Sequence, residues 1–145
     1  MFDRKALSIK PLSQRRHDIN ISAVSSLGAT AEIKIDEKIR RVAGHISVAK
    51  DNNGANLLLI GGHVIRSGVQ HYLIDLLERG YISCIAMNGG CMIHDFEFAL
   101  IGATTEKVPK YIREGQFGLW KETGRINDII NQAFRKKIQL VWGKP

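Results

Sequence analysis

The sequence predicts an α/β fold with a parallel sheet, and three observations carry that prediction. Two short, nearly continuous apolar runs occur, Asn56-Leu57-Leu58-Leu59-Ile60 and Tyr81-Ile82-Ser83-Cys84-Ile85-Ala86-Met87. Each ends in a double glycine, Gly61-Gly62 and Gly89-Gly90. Each is followed by a stretch whose apolar residues recur at helical spacing. Continuous apolar runs suit strands covered on both faces, as in a parallel sheet. Strand, crossover helix and strand make a βαβ unit, for which a right-handed connection is expected.

The remaining elements follow in chain order. Residues 1–30 are weakly patterned, with Pro11, several serines and the basic pair Arg15-Arg16. They read as an N-terminal arm or a pair of short elements. From Ala31 to Lys50, Ile35, Ile39, Val42, Ala43 and Ile46 recur at helical spacing. The turn residues Asp51-Asn52-Asn53-Gly54 stop that helix. After the first strand, Ser67 or Gly68 opens a helix with Val69, Leu73, Leu76 and Leu77 on one face, and Gly80 closes it. After the second strand, a helix carries Ile93, Phe96, Leu100 and Ile101 on its apolar side and ends at Gly102. Thr105 to Leu119 reads as a polar connection. A last helix is expected from about Thr123 to Lys137, with Ile126, Ile129, Ile130, Ala133 and Phe134 on one face. The apolar run from Ile138 to Trp142 starts where another strand is expected. Residues 31–145 are thus assigned to the α/β domain.

Composition narrows the function class. A chain of 145 residues favours one domain. Its 44% hydrophobic and 24% charged content is that of an ordinary globular protein. No apolar run approaches the ~20 residues that span a bilayer. The charged start Asp3-Arg4-Lys5 is not followed by the apolar stretch of a secretory signal. A cytoplasmic location without membrane contact is expected. The net charge of +7 is spread along the chain without interleaved aromatics, so no nucleic-acid partner is expected. Cys84 and Cys91 form neither a Cys-x-x-Cys nor a zinc pattern and are expected to be free thiols.

Ligands of parallel α/β sheets bind past the carboxyl ends of the strands. Here both ends carry glycines, which allow sharp turns and close approach of a ligand. A helix N-terminus directly afterwards offers N–H groups and partial positive charge to an anion. Two such turns side by side suit a dinucleotide or a phosphorylated ligand, although glycines also end strands simply as turns. Neither turn is Gly-x-Gly-x-x-Gly, and no P-loop occurs. His63 follows the first turn, while Asn88, His94, Asp95 and Glu97 surround the second. Asp95 also has a plain reading as an acidic group complementing the helix dipole. Together these residues suggest a polar pocket in which histidines bind substrate or move protons. His63, His94, Asp95 and Glu97 have metal-ligand chemistry, but their spacing matches no recurring metal motif, so no metal is expected. No Gly-x-Ser-x-Gly is present, neither cysteine has a nucleophile's context, and no catalytic residue is assigned.

Several blocks resemble the deoxyhypusine synthase family. They are Gly61-Gly62-His63-Val64-Ile65-Arg66-Ser67-Gly68, Ile74-Asp75-Leu76-Leu77-Glu78-Arg79-Gly80, Ala86-Met87-Asn88-Gly89-Gly90 and Ile93-His94-Asp95-Phe96-Glu97. Gly115-Gln116-Phe117-Gly118 and Glu122-Thr123-Gly124-Arg125 also fit. The Asn-Gly turn and the Ile-His-Asp-Phe-Glu helix start are closest to the bacterial deoxyhypusine-synthase-like branch. The resemblance covers roughly Leu57 to Ala133, with a weaker echo from Leu7 to Val24. It implies a Rossmann-like three-layer fold and a homo-oligomer. It also implies NAD as cofactor and aminobutyl transfer from a polyamine such as spermidine to a lysine of a protein acceptor. Its NAD contacts fall on Ser67 and Gly68 and on Asn88, Gly89 and Gly90, with His94 and Asp95 beside them. Gly62 and His63 complete the expected cofactor-binding set. Family members are longer and carry their imine-forming lysine in a later half. The expectation is therefore an incomplete half of the fold, a truncated enzyme or a non-catalytic nucleotide-binding or subunit-interaction remnant.

Overall fold

A computed structural model describes residues 3–28 and 34–135. These divide into two compact units, one of residues 22–91 and one of residues 3–21 and 92–135. The strand expected at Ile138–Trp142 lies outside the described residues.

The first unit holds the expected βαβ arrangement. Helix α1 (Glu37–Asp51) starts at Asp36, whose carboxylate accepts a hydrogen bond from the Lys38 N–H at 2.7 Å. This cap places the start later than the apolar spacing alone suggested. Strand β2 (Leu57–Ile60) pairs in parallel with β3 (Cys84–Met87), Leu57 opposite Cys84 and Ile60 opposite Met87. Between them run α2 (Gly62–Arg66) and α3 (Gln70–Glu78). The predicted second strand is longer than the observed one. Tyr81 and Ile82 donate backbone hydrogen bonds to the Leu76 carbonyl, so the run's first residues wrap the end of α3 instead.

Asn56 stitches this unit together. Its side-chain amide donates to the carbonyls of Ile46 in α1 and Tyr81 ahead of β3, both at 3.1 Å. Its backbone pairs with Ser83 on both sides, N–H to Oγ at 3.1 Å and C=O from N–H at 2.9 Å. One side chain before the first strand thus ties a helix to both strands. The expected burial of β2 on both faces is not observed: Leu57 is 64% and Leu59 75% exposed. The apolar side of α1 is also open, with Ile39 and Val42 exposed.

The second unit contains elements that periodicity did not indicate. Strand β1 (His17–Asn20) pairs antiparallel with β4 (Ala103–Glu106), His17 opposite Glu106 and Asn20 opposite Ala103. Helix α4 (Gly89–Ile101) begins in the first unit and continues into this one. Two further helices, α5 (Val108–Arg113) and α6 (Lys121–Arg135), follow. The stretch expected as a polar connection therefore holds the end of β4 and all of α5. Pro109 sits in the first turn of α5, where its missing N–H costs no helical bond.

The buried core here is Leu12, Tyr111 and Trp120. The two rings meet edge to face with centroids 5.0 Å apart, a favoured aromatic geometry. Trp120 Nε1 donates to Glu106 at 2.9 Å, and the Arg16 N–H donates to the Tyr111 hydroxyl at 2.7 Å. The Leu12 N–H donates to Glu122 at 2.8 Å. On α6, Ile126 and Ala133 are buried, but Ile129 and Phe134 of the predicted apolar face are exposed. Among the described residues, no helix is long and apolar enough to cross a membrane.

The junction between α2 and α3 depends on one glycine. Gly68 has φ of 77°, and a Cβ there would lie 2.1 Å from the Ala23 carbonyl oxygen. Gly68→Ala combines left-handed strain with a backbone clash that no rotamer relieves. A loss of about 3 kcal/mol is expected, read as a lowered midpoint in chemical denaturation, and an unchanged midpoint would contradict the packing described.

Candidate functional site

The carboxyl ends of β2 and β3 are adjacent because the two strands pair in parallel and in register. Each chain then turns at its glycines. A Cβ on Gly90 would lie 3.8 Å from Gly62 Cα and 3.2 Å from the Asn88 side-chain oxygen. A Cβ on Gly61 would meet the Asn88 side-chain nitrogen at 3.7 Å. The two turns are therefore in contact, with the Asn88 side chain lying against both. The same Asn88 oxygen accepts from the Cys91 N–H at 3.1 Å and caps α4. Beneath, the buried Cys91 thiol lies 3.4 Å from the Ile60 carbonyl oxygen. An open hollow of about 310 Å³ is lined by Leu59, Ile60, Ala86, Met87 and Asn88. Both cysteines are free thiols.

Gly89 differs from its neighbours. Nothing lies within 4 Å of a Cβ placed on it, and its backbone is not in the left-handed region. The fold itself gives no reason for glycine there. Gly68, in contrast, has the packing reason given above. Ser67 donates its hydroxyl to the His63 carbonyl at 2.8 Å, and both residues are exposed.

His94 belongs to the second unit, with a different set of partners. At its centre is a buried ion pair that sequence reasoning missed. Arg15 Nη1 and Nη2 donate to the two Glu97 oxygens at 2.7 and 2.6 Å, with side chains 3% and 1% exposed. Thr123 and Thr104 each donate a hydroxyl to Glu97, at 2.8 and 2.7 Å. The carboxylate thus accepts four hydrogen bonds. Arg15 Nε donates to His17 Nδ1 at 3.1 Å, and its guanidinium lies 5.6 Å from the Trp120 ring centroid. His94 Nδ1 is 2.8 Å from Thr104 Oγ1. One signal pointed this way: Glu97 interrupts the apolar stripe of α4 four residues after Ile93, and a carboxylate there needs a partner. The observed buried side of α4 is Cys91, Glu97 and Phe98, while Ile93, Leu100 and Ile101 of the predicted side are exposed. Among the described residues, no group of His, Cys, Asp and Glu is arranged to hold a metal ion.

Charge states follow from these surroundings. Desolvation pushes the Glu97 carboxyl up, but the Arg15, Thr104 and Thr123 hydrogen bonds and the Arg15 charge outweigh it and hold it below its ordinary 4.5. Burial, then the Arg15 charge, lowers His17. Desolvation raises Asp95, because burial disfavours its charged form.

Two outcomes follow for Glu97. Its folded-state proton affinity is below its unfolded one, so the unfolded state binds more protons between the two values. Its stabilisation is therefore complete above about 4.5 and lost as pH falls through the lower folded value, which acid denaturation of wild type against Glu97→Gln measures. Arg15→Met leaves a buried carboxylate unpaired and should cost about 3–5 kcal/mol in urea denaturation. A loss below ~1 kcal/mol would mean that the pair is solvated, as surface pairs are.

A family model described as arginine dihydrolase ArgZ-like, C-terminal, Rossmann fold matches residues 40–137. Comparisons with curated proteins and with solved structures give no significant match. The family match overturns the resemblance to deoxyhypusine synthases, and with it aminobutyl transfer, spermidine and hypusine. The blocks that suggested that family are strand ends, glycine turns and helix starts. Those features specify a nucleotide-binding type of fold rather than a chemistry. The Glu of the Ile-His-Asp-Phe-Glu block is itself occupied by Arg15. The fold is Rossmann, as the parallel pair and its glycine turns indicated, and the chain belongs to the arginine dihydrolase ArgZ-like, C-terminal, Rossmann-fold family.

Proposed function

We propose that this chain is the nucleotide-binding Rossmann portion of an arginine-dihydrolase-like protein and that it takes NAD at the carboxyl ends of β2 and β3. The observation that carries the reading is the contact between the two glycine turns, with Gly90 set against Gly62 and Asn88 against both. In doubly wound sheets this end of the strands is where dinucleotides lie. The turn into α4 presents backbone N–H groups to an anionic group. Gly89, exposed and without an internal reason to lack a side chain, leaves that approach open. The family description supports a Rossmann domain attached to arginine chemistry, so the dihydrolase reaction itself belongs to the protein of which this is the C-terminal type of domain. A cytoplasmic location fits such a nucleotide-dependent role.

The experiment is calorimetric titration of the purified chain with NAD. One binding event is expected. In Gly89→Val the β-branched side chain stands in the approach to the turn, at a position where an added Cβ has nothing within 4 Å. Binding should fall at least tenfold with only a small change in unfolding midpoint. Equal NAD affinity in wild type and variant, or no heat from either, contradicts the proposal.

A second reading, self-association, is favoured by the open apolar faces: Leu57 and Leu59 on β2, and Ile39 and Val42 on α1, are exposed. Exposed apolar area of this kind marks interaction surfaces. Light scattering should give a mass above that of one chain, falling on dilution, and Leu59→Lys should return the monomer. A monomer at all concentrations removes this reading.

A further inference from the structure

We infer that the coenzyme site at the carboxyl ends of β2 and β3 takes NADP as well as NAD, because Asn88 stands where a site selective for NAD places a carboxylate. This inference rests on the NAD reading given above and deepens it. In a βαβ dinucleotide site the pyrophosphate lies at the first glycine turn, and an acidic residue further along accepts a hydrogen bond from the ribose 2′-hydroxyl. The same carboxylate repels a 2′-phosphate, and like-charge repulsion of this kind is how a site rejects the wrong ligand.

Here the first turn is Gly61-Gly62 after β2, and the residue directly after the neighbouring parallel strand β3 is Asn88. The two positions are close: a Cβ on Gly61 would lie 3.7 Å from Asn88 Nδ2. Asn88 also lines the hollow of about 310 Å³ at these strand ends, with Leu59, Ile60, Ala86 and Met87. Among the described residues lining it, Asn88 alone is polar and none is acidic. An apolar hollow edged by one amide suits a flat ring with a ribose beside it.

The fold sets the orientation of that amide. The Cys91 N–H donates to Asn88 Oδ1 at 3.1 Å, so the oxygen faces the start of α4. The amide nitrogen, which only donates, is left on the side of the first turn. A donor can meet the oxygen of a ribose hydroxyl or the oxygen of a phosphate, and a neutral one repels neither. The residue is exposed, so a ligand reaches it without a change in fold. Capping does not explain the neutral side chain, because Asp caps a helix as well as Asn does. Asn88 therefore supplies the cap and a hydrogen bond to the ligand while leaving out the charge that would exclude NADP.

The test is calorimetric titration of the whole chain with NAD and with NADP, for wild type and Asn88→Asp. Wild type should bind NADP no more than about threefold more weakly than NAD. Asn88→Asp keeps an acceptor for the Cys91 N–H and adds one negative charge. It should shift the affinity ratio toward NAD by about tenfold or more, through repulsion of the 2′-phosphate. A general loss of packing weakens both coenzymes and leaves their ratio alone. A stronger wild-type preference for NAD overturns the inference, leaves the NAD reading standing and needs no variant to fold. An unchanged ratio in folded Asn88→Asp also overturns it. Heat from neither coenzyme removes the NAD reading and this inference with it.

Discussion

Burying a guanidinium and a carboxylate is costly, and each requires the other once both are out of water. Arg15 and Glu97 meet that requirement with two parallel hydrogen bonds, and the two threonine hydroxyls satisfy the carboxylate's remaining capacity. Much of the second unit is arranged around this pair. Thr104 comes from β4, Thr123 from α6, Glu97 from α4 and Arg15 from the segment leading into β1. Four separate pieces of chain must converge before the charge is satisfied. The aromatic core of Tyr111 and Trp120 packs beside it, with Trp120 under the guanidinium. An apolar cluster of three large residues tolerates repacking, whereas a bidentate pair has one geometry. The pair therefore gives this small unit its specificity of arrangement.

The first unit depends on a different device. Parallel pairing in register brings two strand ends to the same level, and paired glycines let the chain turn there without side chains filling the space. Asn56 secures the opposite end of the strands through the carbonyls of Ile46 and Tyr81. The strands are thus held at their amino ends and left open at their carboxyl ends. That division suits a site in which ligand approaches backbone.

What could be read from the sequence was what leaves a local mark. The runs at Leu57–Ile60 and Cys84–Met87, their glycine turns and the helical spacing of α1, α3, α4 and α6 all depend on near neighbours. β1 and β4 left no such mark. His-Asp-Ile-Asn and Ala-Thr-Thr-Glu carry almost no apolar alternation, and their pairing joins residues far apart in the chain. The Arg15–Glu97 pair spans 82 positions, so nothing near Arg15 announces it. Glu97 in an apolar stripe was the one visible clue. Exposure of Leu57 and Leu59 was likewise hidden, because an apolar run reports what a strand tolerates and not what covers it. The family resemblance failed for a related reason. Its matched blocks are dominated by turn glycines and helix starts, which many nucleotide-binding folds share, whereas a family model spanning 40–137 weighs the whole stretch.

Hydrogen–deuterium exchange on the chain with and without NAD tests the central claim most directly. The account predicts new protection confined to the amides of the two turns, Gly61 to His63 and Asn88 to Gly90, because those are the backbone groups the proposed ligand approaches. Protection elsewhere, with these two turns unchanged at saturating NAD, would contradict it.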